Sequence, residues 1–123
     1  MRYLTPRKRA EGLGAARSGT AHHIAMTVSG WALVFIVPVF VFVLARTIGH
    51  GFDHVRETFA NPWMAILTGL FLFVGLRHYA TGARSTFEDY SHGFTREALI
   101  MLTHAVAYVL IAMGFYALIK LAL

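Results

Sequence analysis

The chain contains no cysteine. Disulfides, iron–sulfur ligation and thiol catalysis within it are therefore excluded. Charge is nearly as scarce: Asp, Glu, Lys and Arg make up 14% of 123 residues, against about 25% in a soluble domain. Proline occurs at only 3 positions. Pro38 alone falls inside an apolar run, where the missing backbone donor predicts a kink. What remains is 57% apolar, gathered into long blocks and not spread along amphipathic elements. Runs of about 20 such residues match the ~30 Å hydrocarbon core of a bilayer.

Three runs have that length: about 24–45, 63–82 and 98–121. The chain reads as an all-α membrane protein of three transmembrane helices. Residues 1–23 form a basic N-terminal segment ahead of a membrane domain over 24–123. That segment carries Arg2, Arg7, Lys8, Arg9 and Arg17 against Glu11. Its charge explains most of the net +5 and reads as a topology signal, not a nucleic-acid surface. With Arg84 and Arg96 it outweighs Arg46, Arg56 and Lys120, so the positive-inside rule predicts a cytoplasmic N-terminus and a periplasmic C-terminus. The basic region is long for a signal peptide, and no small-x-small cleavage site ends the first run, which is read as a retained helix. Arg46 to Pro62 reads as a short loop. Ala83 to Glu97 reads as a polar connection, into which the second helix can continue as far as Tyr90.

The end of the second run departs from its apolar surroundings. Arg77 and His78 lie within it, at a depth where an ionisable group costs about 2.5–3.5 kcal/mol. Gly75 and Gly82 stand at i−3 and i+4 from His78, on one helix face. Two readings are open. The glycines leave room for a flat macrocycle, and a neutral imidazole is a good axial ligand for haem iron. Alternatively, small residues favour close helix packing, His78 is hydrogen-bonded to another helix and Arg77 snorkels to the surface. Tyr90 follows His78 by 12 residues, about 18 Å along a helix. Beside Asp89 at the membrane boundary, its phenol is either a hydrogen-bond donor to a quinone or an ordinary interfacial aromatic.

His78-x-x-x-Gly82 followed by Asp89-Tyr90, at the inner end of the second of three spans, resembles the small hydrophobic anchor subunit of bacterial and mitochondrial succinate dehydrogenase. The Gly12-Leu13-Gly14-Ala15-Ala16-Arg17-Ser18-Gly19-Thr20-Ala21-His22 segment is similar to the stretch before the first span in alphaproteobacterial members. The Glu88-to-His92 block is the most specific part. The resemblance implies a four-subunit complex in which a flavoprotein oxidises succinate and an iron–sulfur subunit relays the electrons. Two hydrophobic subunits, this chain and a cytochrome b partner, would share haem b and reduce ubiquinone among membrane lipid. By position, His78 becomes an axial haem ligand and Tyr90, with Asp89, the quinone contact. Arg17, Arg77 and His22 become contacts to haem propionates or partners. This chain would hold neither flavin nor succinate site. One departure is that no basic residue stands near Thr27, where the family pattern has an arginine.

The remaining histidines are weaker candidates. His23 adjoins the basic segment. His50 and His54, spaced i and i+4, could meet at a metal if helical, and His104 lies early in the third span. The rival readings are a non-catalytic scaffold or assembly protein, a transporter component, and a cytochrome b-type subunit of another redox complex. The scaffold gives no role to His78 or to Asp89-Tyr90. The transporter lacks ionisable residues in its first span.

Overall fold

The computed structural model describes residues 5–12 and 19–122. Five helices follow one another: α1 (Pro6–Gly12), α2 (Gly19–Thr47), α3 (Phe52–Ala60), α4 (Pro62–Tyr90) and α5 (Gly93–Ala122). Among the described residues there is no strand, as hydrocarbon requires of a single chain without a closed barrel. α2, α4 and α5 are each long and apolar enough to cross a membrane.

All three outrun their apolar stretches. α2 has 29 residues, about 43 Å at the helical rise, so its ends reach past the hydrocarbon into the headgroup layers. α4 continues unbroken to Tyr90, and α5 already begins at Gly93. The polar connection expected over Ala83 to Glu97 is thus mostly helix, broken only at Ser91 and His92. Gly93, at φ 58, takes the left-handed conformation this abrupt turn needs. α2 passes through Pro38 as one helix.

The stretch read as a loop before the second span contains α3. Val55 and Phe59 stand at i and i+4, with Phe59 buried, while Asp53, His54, Arg56 and Glu57 occupy other faces. This is the pattern of an amphipathic helix, one side packed against the long helices and the other polar. Asn61 then joins α3 to α4. Its side chain accepts a hydrogen bond from the Trp63 N–H at 3.0 Å, and Pro62 fills the first helical position, where no donor is needed.

α4 packs antiparallel to both α2 and α5, whereas no Cα of α2 comes within 8 Å of one on α5. Against α2 the register pairs His22 with Ser85, Met26 with Gly82, Ser29 with His78 and Leu33 with Gly75. Phe40 stacks on Phe71 with ring centroids 4.1 Å apart. Against α5, Gly69 meets Phe115 and Leu118, and Gly114 meets Leu72. None of the described large side chains is fully buried. Trp31 and Phe35 on α2 and Met101 and Tyr116 on α5 are exposed, facing lipid or partner chains.

Gly114 is the tightest of these contacts, since a Cβ there would lie 2.5 Å from Leu72 Cδ1. Gly114→Val should destabilise the α4–α5 pair by about 1–3 kcal/mol, the usual cost of overpacking. The thermal midpoint of the detergent-solubilised protein measures this. Leu72→Ala in the same chain should recover part of the loss.

Candidate functional site

His78 sits on the face of α4 that meets α2. Its Nδ1 lies 2.8 Å from Ser29 Oγ. That hydroxyl also lies 2.7 Å from the Ala25 carbonyl oxygen and 3.0 Å from that of Met26. A hydroxyl has one hydrogen to give. Donated to the carbonyls, it leaves an oxygen lone pair to accept a hydrogen from Nδ1, and every contact is satisfied. Donated to Nδ1, it would leave oxygen lone pairs facing each other at 2.7 Å. The arrangement therefore selects the tautomer with hydrogen on Nδ1 and a free lone pair on Nε2. No described residue hydrogen-bonds Nε2.

Three glycines shape this contact. A Cβ on Gly30 would meet His78 Cε1 at 3.6 Å, so the ring lies against bare backbone of α2. Gly75 and Gly82 face Leu33 and Met26. Here the glycines let α2 come close, with Leu33 beside Gly75 and Met26 beside Gly82. Ser29 and Gly30 were not singled out from sequence. Their signal is a small polar residue next to glycine in an otherwise apolar span.

Arg77, one residue earlier and so about 100° around the helix, points to α5. It donates a hydrogen bond to Tyr108 Oη at 2.5 Å, and its guanidinium carbon stands 5.6 Å from the centre of that ring. Tyr108 is a third residue that sequence reasoning passed over. His104, one turn before it on α5, has Nδ1 2.9 Å from the Ile100 carbonyl oxygen and so donates within its own helix. The structure does not bring Arg77 or His104 to His78.

At the far end of α4, Tyr90 is 84% exposed and Asp89 is exposed as well. Neither makes a side-chain hydrogen bond to a described residue, and the phenol stands open among the described residues. Nearby, Gly19, His22, Arg84, Ser85 and Glu88 line a polar cleft of ≈ 400 Å³. His22 Nε2 stands 3.4 Å from Ser85 Oγ, and Arg84 Nε donates to Glu88 Oε1 at 2.7 Å. His22 and the Asp89-Tyr90 pair thus share one end of the bundle. Arg17 lies outside the described residues. His50 and His54 come together at the opposite end, with ring centroids 4.5 Å apart. No group of three or more His, Cys, Asp or Glu suited to a metal ion occurs among the described residues.

Comparison with known proteins gives two matches. Residues 1–119 match the family described as succinate dehydrogenase/fumarate reductase transmembrane subunit. The whole chain is 45% identical over 123 residues to the succinate dehydrogenase hydrophobic membrane anchor subunit of Paracoccus denitrificans, covering 95% of that relative.

The assignment of hydrogen to Nδ1 can be checked directly. In protein labelled with ¹⁵N-histidine, His78 should show a protonated Nδ1 and an unprotonated Nε2. Ser29→Ala, which removes the acceptor, should produce a mixture of tautomers.

Proposed function

The chain belongs to the succinate dehydrogenase/fumarate reductase family of transmembrane subunits, and from that premise we propose that it helps bind haem b and ubiquinone while docking the soluble subunits to the membrane. As a membrane anchor subunit it is part of an enzyme complex. The partners in this reading are a cytochrome b anchor subunit, an iron–sulfur subunit and a flavoprotein, in the bacterial inner membrane.

The residues present fit a haem. The observation that carries the reading is the Ser29–His78 hydrogen bond. A ligating histidine usually donates its other ring hydrogen to a fixed acceptor, which holds the ring in place and raises its basicity. Ser29 is such an acceptor, and Nε2 is left to bind iron. His78 is the ligand this chain would contribute: His104, whose Nδ1 donates within α5, also leaves Nε2 free but stands away from the α2–α4 contact, and the other described histidines lie at the helix ends. A further ligand would come from the cytochrome b partner. When bound, haem supplies a one-electron redox centre. Arg77, turned to α5 and Tyr108, is better placed for a partner than for the propionates of a haem at His78.

Ubiquinone would bind at the end of the bundle that holds Tyr90. The Tyr90 hydroxyl donates to a quinone carbonyl oxygen, which gains charge as two electrons arrive from the iron–sulfur subunit. Two protons complete the quinol, and Asp89 with the His22–Ser85 cleft lies on their way in from the cytoplasm. Tyr90 is exposed among the described residues, and in this reading a partner supplies further walls of the pocket.

Affinity purification of the tagged chain in mild detergent should recover the soluble subunits together with a haem b α-band in the reduced-minus-oxidised spectrum. His78→Ala should abolish or shift that band, and an unchanged band rules out axial ligation. Tyr90→Phe should lower quinone reduction by roughly 10²-fold, the effect of removing one donor from an oxygen that gains charge, with haem content retained. Normal turnover in that variant would remove Tyr90 from the site.

A further inference from the structure

α2 leaves its apolar stretch at the end of the bundle opposite Tyr90, and the first charged residue it meets there is Arg46. Arg46, Thr47, His50, His54 and Thr58, bordered by Phe42 and Val43, line a cleft of ≈ 400 Å³ between α2 and α3. No carboxylate is in the lining. Asp53 and Glu57 of α3 lie outside it, as does Arg56. The Arg46 guanidinium carbon stands 5.4 Å from the centre of the Phe42 ring, and Arg46 has no ion-pair partner among the described residues. The two threonines already donate to the backbone, Thr47 to Val43 O at 2.8 Å and Thr58 to His54 O at 2.8 Å. The hydrogens left for a ligand are therefore those of one guanidinium and two imidazoles.

Such a lining suits an anion. Two imidazoles side by side could suggest a transition metal, but no third ligand joins them among the described residues, and the guanidinium in the same cleft repels a cation. Depth identifies the anion. Residues 24–45 contain no charge, and at about 1.5 Å per residue they span about 33 Å, the thickness of the hydrocarbon core. Arg46 then stands at the level of lipid phosphates. On the same face of α2, Phe35, Val39 and Phe42 precede it at i−11, i−7 and i−4 and are exposed at 70%, 49% and 60%. This forms an apolar strip as deep as an acyl chain, ending in a cation.

We propose that this cleft binds the phosphodiester headgroup of an anionic phospholipid. Arg46 is the main contact, His50 and His54 are further donors, and one acyl chain lies along Phe42, Val39 and Phe35. The site is independent of His78 and Tyr90. It gives the His50–His54 pair, which the haem and quinone reading leaves unused, a role at the outer end of the helices.

The complex containing the full-length chain, solubilised and washed free of loosely held lipid, can be titrated with phosphatidylglycerol under native mass spectrometry. The wild type should retain a phosphatidylglycerol adduct. Arg46→Gln should weaken it about fivefold, the worth of one basic side chain at an anionic membrane surface, and Arg46→Lys should restore most of it. Adding His54→Gln to Arg46→Gln should weaken it further. Equal affinity in wild type and Arg46→Gln would overturn the proposal. So would a cleft that takes inorganic phosphate as readily as the lipid, because the acyl strip would then contribute nothing. All these residues are exposed at helix ends, and co-purification of the other subunits checks that each variant is folded.

Discussion

Helices in hydrocarbon have no water to escape, so their association depends on how closely their backbones approach. In this chain that approach is set on α4. Gly75 and Gly82 receive side chains from α2, Gly69 receives Phe115 and Leu118 from α5, and Leu72 fills the space over Gly114. α4 therefore holds α2 and α5, whose backbones stay more than 8 Å apart, Cα to Cα. The positions of Arg77, His78 and Tyr90 follow from it. His78 is carried to α2 and Arg77 to α5 because neighbouring residues on a helix diverge by about 100°. Tyr90 is carried past the membrane boundary because α4 does not stop where its apolar residues do.

From sequence, His78 admitted two readings, a ligand or a histidine hydrogen-bonded to a neighbouring helix. The structure contains the hydrogen bond of the second reading without removing the first. An imidazole has two nitrogens, and Ser29 occupies only one. The bond is also what makes the remaining nitrogen useful, because a ring with hydrogen on Nδ1 must present its lone pair at Nε2. A free ring would divide its population between two tautomers and several rotamers. The deep position of His78 is thus offset by a packed neighbour on one side, with the other nitrogen available.

The spans were legible because length and apolarity are properties of single segments. The continuation of α4 to Tyr90 was legible only in part: the residues after Gly82 are polar, and only the lack of a proline among them favours helix. α3 was hidden by its shortness: nine residues with mixed charges read as loop until Val55 and Phe59 are seen to share a buried face. The candidate site was legible as single residues, His78 and Tyr90, which are chemically out of place in an apolar chain. Its supporting residues were not. Ser29 lies 49 positions from His78 and Tyr108 lies 31 from Arg77, and nothing in their own neighbourhoods announces either pairing. Such partners depend on the register between helices, which here is fixed by where the glycines fall.

The same register explains why this chain is incomplete alone. A bundle with α4 between two helices whose backbones stay apart cannot enclose a ligand, because enclosure takes at least three walls. Its two candidate groups reflect this. His78 is only partly buried, with one nitrogen held, and Tyr90 stands almost fully in the open. An exposed phenol beside a carboxylate has no selectivity of its own. In the proposed complex it would gain selectivity from another chain that supplies the opposing wall and excludes water. The row of three helices is therefore suited to a subunit whose sites lie on its borders, where the exposed apolar faces that would condemn a soluble protein become the surfaces through which a complex is assembled.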